Sequence, residues 1–98
     1  MAQQVYLVHA TGDMGKDHYY YLYDSEEKAE KAVSFLEGDG ERDYAPSEEE
    51  DPDWDYDEAY EEAVDENRLE SFDSISEMNA YLRANNMDIA YEYEAIMV

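Results

Sequence analysis

Val5-Tyr6-Leu7-Val8-His9-Ala10 is a run of β-branched and aromatic residues, the composition of a buried strand. The stretch from Thr11 to Asp17 interrupts it as a turn, with Gly12 and Gly15 able to take positive φ. His18 to Tyr23, with four tyrosines in six residues, reads as a second strand, and the two predict an antiparallel hairpin. Asp24 and Ser25 then offer a helix N-cap, with Glu26 and Glu27 suited to the first turn. Ala29, Ala32, Val33 and Leu36 follow at i, i+3, i+4 and i+7, an apolar helical stripe that Gly38 and Gly40 bring to an end.

A related pattern recurs toward the C-terminus. Tyr23-Asp24-Ser25 is echoed by Phe72-Asp73-Ser74, an offset of 49 residues that fits either an internal duplication or shared capping chemistry. Ser74 and Glu77 have the spacing of a capping box, and Met78, Tyr81 and Leu82 take the places of Ala29, Ala32 and Val33. Asn85 and Asn86 can close this helix in a left-handed conformation. Residues 89–97 then alternate, Ile89, Tyr91, Tyr93, Ala95 and Met97 on one face, which predicts a half-buried strand.

Between these units the pattern changes. Ala45 to Glu50 reads as an exposed loop. Asp51 with Pro52 suits the start of a helix over roughly 53–66. In that helix Tyr56, Ala59, Tyr60, Ala63 and Val64 form an apolar face, while Asp55, Glu58, Glu62 and Asp65 run along the opposite side. A brief strand is expected near Arg68 to Phe72. The fold class that follows is α+β: a small antiparallel sheet of three to four strands, two packed helices and a third, acidic helix. It is a single domain over 1–98 with an acidic insert at about 37–70.

Charge sharpens that picture. The 98 residues contain 28 Asp and Glu against 6 Lys and Arg, a net charge of −22. Residues 37–70 alone hold 17 acids against two arginines, a balance of −15. Such acidity can leave a chain disordered, but 44% hydrophobic residues and 11 tyrosines supply enough apolar material for a core. There are no cysteines, which removes disulfides, thiolate metal sites and cysteine nucleophiles. No apolar run nears the roughly 20 residues of a transmembrane helix. The N-terminal residues lack the basic and apolar regions of a signal peptide, so the expected location is cytoplasmic. Strong negative charge opposes direct binding to nucleic acid or to anionic membranes. The expected partner is basic.

The residues offer little for catalysis. His9 and His18 flank the first turn and could meet across the hairpin near Asp13 and Asp17, but histidines at strand ends are more often surface residues. Gly12 to Asp17 fails as a phosphate-binding loop, which needs glycine where Ala10 stands and serine or threonine where Asp17 stands. Asp51, Asp53, Asp55 and Glu62 match four positions of a calcium loop, but its glycine is replaced by Tyr56 and its apolar position by Glu58. Weak divalent-ion association is the expectation, with no dedicated metal site, no cofactor and no enzymatic activity.

What remains is the acid itself. Carboxylates on one helix face recur about every 5–6 Å, comparable with the through-space spacing of phosphates along a nucleic-acid strand. Aromatics interleaved among them could anchor an interface. In size, charge, absence of cysteine and the aromatic-studded acid runs Glu48–Asp57 and Asp57–Glu66, the chain resembles the small acidic inhibitors encoded by phages and mobile elements. These are DNA mimics acting on CRISPR effectors, restriction enzymes or nucleases. Val5-Tyr6-Leu7-Val8 and the segment Tyr21 to Ala29 also resemble small phage proteins with a hairpin followed by a helix. The resemblance carries no diagnostic motif, so no family residue transfers by position. It implies an inhibitor of a host defence protein, acting in the host cytoplasm, whose partner is a basic nucleic-acid-binding protein. The candidate partner-binding residues are Glu48, Glu49, Glu50, Asp51, Asp53, Trp54, Asp55, Tyr56, Glu58, Glu61, Glu62 and Asp65. An immunity protein or antitoxin against a basic nuclease, or another acidic binder of a basic protein, would carry a similar surface, and a halophilic protein would be acidic without any mimic role, though with its acid spread evenly. A homodimer stays open.

Overall fold

In the computed structural model, which describes residues 2–97, the N-terminal hairpin forms the centre of the sheet. Strand β1 (Gln3–Gly12) pairs antiparallel with β2 (Asp17–Tyr23), in a register that places Tyr6 opposite Tyr23 and Thr11 opposite His18. The turn between them is tighter than its two glycines suggest. Gly12 stays extended, and the left-handed positions are Asp13 (φ 47°), Met14 (φ 57°) and Gly15 (φ 90°). The space that a Gly12 side chain would fill is taken by Met97.

Helix α1 (Glu26–Leu36) begins at Ser25, whose hydroxyl accepts the Lys28 N–H at 3.3 Å. It ends in a Schellman motif: Gly38 (φ 85°) donates to the Phe35 carbonyl and Asp39 to the Ser34 carbonyl. A short helix α2 (Gly40–Tyr44) follows directly, in a stretch for which the sequence pattern predicts no helix. Gly40 lies against the Phe35 ring so closely that a Cβ would overlap it, and Ser34 donates to Asp43 at 2.9 Å. The acidic helix α3 (Tyr56–Glu61) starts three residues later than expected, because Asp55 rather than Asp51 is its N-cap and accepts the Asp57 N–H at 3.1 Å. It runs on into a π-helical turn over Glu62–Glu66, closed by Asn67 donating to the Glu62 carbonyl.

Strand β3 (Glu70–Phe72) pairs antiparallel with β2. Helix α4 (Ile75–Ala84) then starts at Ser74, which accepts the Glu77 N–H at 3.2 Å. The backbone at Ser74 (φ −142°, ψ 153°) nearly repeats that at Ser25 (φ −148°, ψ 155°), so the sequence echo corresponds to the same strand-to-helix cap used twice. Asn86 (φ 52°) supplies the left-handed exit, and β4 (Met87–Ile96) begins at the next residue.

The sheet order is β3-β2-β1-β4. Four strands and an α+β class agree with the sequence pattern, but β4 runs parallel to β1, so the sheet is mixed. The strand order explains this. β4 follows a helix that carries the chain back across the sheet, and such a crossover returns a strand in parallel.

Both faces are covered. On one, α1 and the π turn pack over Val8, Ala10, Tyr23 and Ala95, with Phe35, Leu36, Ala63 and Val64 buried among them. On the other, Met78 and Leu82 of α4 pack over Val5, Leu7, Tyr20 and Leu22. The single-face alternation expected of 89–97 breaks at a bulge. Val5 faces Ile89 but Tyr6 faces Tyr91, which leaves Ala90 unmatched. One extra residue reverses the facing of everything after it. Ile89 therefore packs with the α4 side while Tyr93, Ala95 and Met97 join the α1 side. No described helix is long and apolar enough to cross a membrane.

Candidate acidic interface

The segment 47–66 is folded by its own short-range chemistry. Ser47 accepts the Glu50 N–H at 3.3 Å, Asp51 accepts the Asp53 N–H at 3.2 Å, and Asp55 caps α3. These side chains satisfy backbone donors that would otherwise face water. The apolar stripe then fastens the segment down. Ala63 and Val64 are buried, while Tyr56, Ala59 and Tyr60 are half-buried against the α1 core. Phe35 is the hub, with ring centroids 5.6 Å from Tyr56, 6.4 Å from Tyr60 and 6.0 Å from Tyr44. Trp54 meets Tyr56 edge-on at 6.3 Å.

One hydrogen bond ties this layer to the sheet. The Tyr23 hydroxyl donates to the Val64 carbonyl at 2.8 Å, in the middle of the π turn. Burial first, and then the neighbouring Tyr21, push the Tyr23 phenol well above its ordinary pKa. The phenol is thereby held as a donor.

With the apolar side turned in, the acids turn out. Glu48, Glu49, Glu50, Asp51, Asp53, Asp55, Glu58, Glu61, Glu62 and Asp65 are all exposed. Among the described residues, Glu48 through Glu62 have no ion-pair partner, whereas Asp65 is paired with Arg68 at 2.7 Å. Asp65 is therefore partly neutralised from within, unlike the acids before it. The same holds for Asp43 of α2, where hydrogen bonds from Arg42 and then Ser34 hold the carboxyl below the usual range.

Trp54 and Tyr56 stand at the border between core and surface. Each gives one side to the aromatic cluster and leaves part of its ring at the surface, so they form the floor of the acidic surface. They line a hollow of about 510 Å³ together with Pro46, Glu48 and Asp51, and with Glu41 from α2. Glu41 was not among the candidates from sequence. Its only signal there is its charge, since α2 itself is not legible in the pattern. A second hollow of about 210 Å³ gathers Asp51, Asp53, Asp55, Glu58 and Glu62, including the four acids with calcium-loop spacing. No group of three or more His, Cys, Asp or Glu among the described residues is arranged to hold a metal ion.

The two histidines do meet. His9 Nε2 lies 2.9 Å from His18 Nδ1, and the His9 ring stacks on Tyr20 at 4.8 Å between centroids. The pair sits on the α4 side of the sheet, on different elements from the acidic segment.

Comparison with protein-family models, with curated proteins and with solved structures finds no match to this chain.

Proposed function

We propose that this protein is a nucleic-acid mimic that inhibits a host defence protein, such as a CRISPR effector, restriction enzyme or nuclease, by occupying its basic DNA- or RNA-binding surface. The observation that carries this reading is the run of exposed, unpaired carboxylates from Glu48 to Glu62, fixed on a backbone anchored through Tyr56, Ala63 and Val64. A flexible acidic tail loses conformational entropy when it binds, whereas a preformed array loses much less. Anchoring Asp55, Glu58, Glu61 and Glu62 on the cap of α3, on α3 and on its π turn therefore favours tight, oriented binding to a lysine- and arginine-lined groove. Long-range attraction accelerates the encounter. Part of the Trp54 and Tyr56 rings borders the array and provides apolar contact that phosphates lack.

The test is capture of DNA- and RNA-binding proteins from host lysate on the immobilised protein at low salt, followed by challenge with competitor duplex. A mimic retains such a protein, and the duplex elutes it. Retention of no nucleic-acid-binding protein, or of one that the duplex cannot displace, rejects the mimic reading. The second outcome favours an acidic binder of the immunity-protein kind.

A further inference from the structure

Strand β4 lies at one edge of the sheet, with β1 on one side and, among the described residues, no strand on the other. Met97 donates its N–H to the Thr11 carbonyl at 2.8 Å, toward β1. In a parallel ladder, residues two apart bond to the same side. Ala95, Tyr93 and Tyr91 therefore turn their backbone groups to β1, while Ile96, Glu94 and Glu92 turn theirs to the open edge. Ile96 behaves accordingly, since its N–H meets the Glu37 carboxylate at 3.4 Å.

Open edges are templates for another strand, and proteins commonly block them with lysine, proline or shortness. β4 is ten residues long and contains no lysine, arginine or proline, and its bulge at Ala90 lies before the regular stretch from Tyr91 to Ile96. Its surroundings are acidic on both faces. Asp88, Glu92 and Glu94 are exposed on the strand itself, and Glu37 stands at its end. Burial, and then the charges of Glu30 and Glu26 on α1, raise the pKa of the Tyr93 hydroxyl. Tyr91 and Ile96, 58% and 72% exposed, offer apolar contact on opposite faces.

We propose that the free edge of β4, from Tyr91 to Ala95, accepts an extended segment of a partner protein with lysine or arginine at alternate positions, which adds a fifth strand to the sheet. Backbone bonds to Glu92 and Glu94 give the pairing, and the flanking carboxylates select for cations. A second copy of this chain is the wrong occupant. It would set acidic β4 against acidic β4 between two molecules of net charge −22. The inference rests on the sheet edge and is independent of the mimic reading of segment 48–65.

The probe is a synthetic peptide of alternating lysine and valine, titrated into the full chain and followed by amide exchange and by affinity. Binding at the edge slows exchange of the Glu92 and Glu94 amides by about tenfold or more. The variant Glu94→Pro removes one outward N–H without touching the β1 ladder, and weakens binding by about tenfold. Methylating alternate backbone nitrogens of the peptide weakens binding similarly, and this arm needs no variant to fold. Equal affinity for the methylated peptide overturns the proposal, as does protection confined to residues 56–66. Dimerisation of the free chain with β4 protected also overturns it, in favour of a second copy.

Discussion

The Tyr23 hydroxyl spans 41 residues of sequence to reach Val64, and it makes a polar link between the sheet and the acidic layer. A π turn leaves its carbonyls imperfectly matched, and the phenol satisfies one of them in a buried place. Tyr23→Phe leaves that acceptor unpaired and lowers stability by about 1–3 kcal/mol near neutral pH, read as a lower urea midpoint at unchanged slope. The same phenol makes stability depend on alkaline pH. Burial is the leading cause of raised pKa values at Tyr23, Tyr21 and Tyr60. A phenol that folding keeps protonated contributes fully below its unfolded pKa of about 10. That contribution is lost as pH rises above this value, because the unfolded chain releases its proton first. Urea midpoints taken at about pH 7, 9 and 11 should fall steeply only in the last interval, and less steeply in Tyr23→Phe than in the parent. Asp65 shows the limit of reading residues singly. It falls on the outer face by helical spacing, yet Arg68 three positions on claims its charge.

At the level of elements, α3 and its π turn divide cleanly into a buried and an exposed side, so charge can be changed there without touching the core. Reversing Glu58, Glu61 and Glu62 to lysine should weaken capture of a basic partner by about a hundredfold or more at low salt, chiefly through slower association. The far-UV circular dichroism spectrum should be unchanged. Asp65 is left out of this set, since reversing it would also set two cations side by side at Arg68. Reversal of Asp13 and Asp17 in the hairpin turn is the matched control, and an equal loss there would move the interface to the turn. Ser25 and Ser74 start α1 and α4 as the sequence suggests, because a cap depends on side chains three residues apart. Helix α2 was not legible, since its five residues have too short a period to show, and packing against Phe35 and Ser34 holds it.

The shape of the whole molecule suits its charge. Its extents are 46 × 34 × 17 Å, and its radius of gyration of 14.3 Å exceeds the value of about 12.6 Å expected for a compact domain of this length. A flattened body spreads like charges farther apart, but 22 excess negative charges still repel within a Debye length of about 10 Å. Raising sodium chloride from about 10 mM to about 150 mM should therefore stabilise the fold by about 1 kcal/mol, a rise in Tm of about 4–8 °C. An unchanged Tm would mean that the acids are already neutralised, and would count against a dense free array.

The hairpin, the two capped helices and the inward stripe from Tyr56 to Val64 were readable along the chain because each depends on residues a few positions apart. Periodicity and capping are local physics, and the alternation of acid with aromatic already marked residues 48–65 as a surface. The parallel placement of β4, the bulge at Ala90 that sends Ile89 and Tyr93 to opposite faces, and the Tyr23–Val64 bond depend on partners far apart in sequence. Their geometry follows from how the layers pack and which strand is left at the edge. The acids thus announce a surface from the sequence, while the folded chain determines that it rests on Phe35 and Tyr23 and that β4 is left at the edge of the sheet.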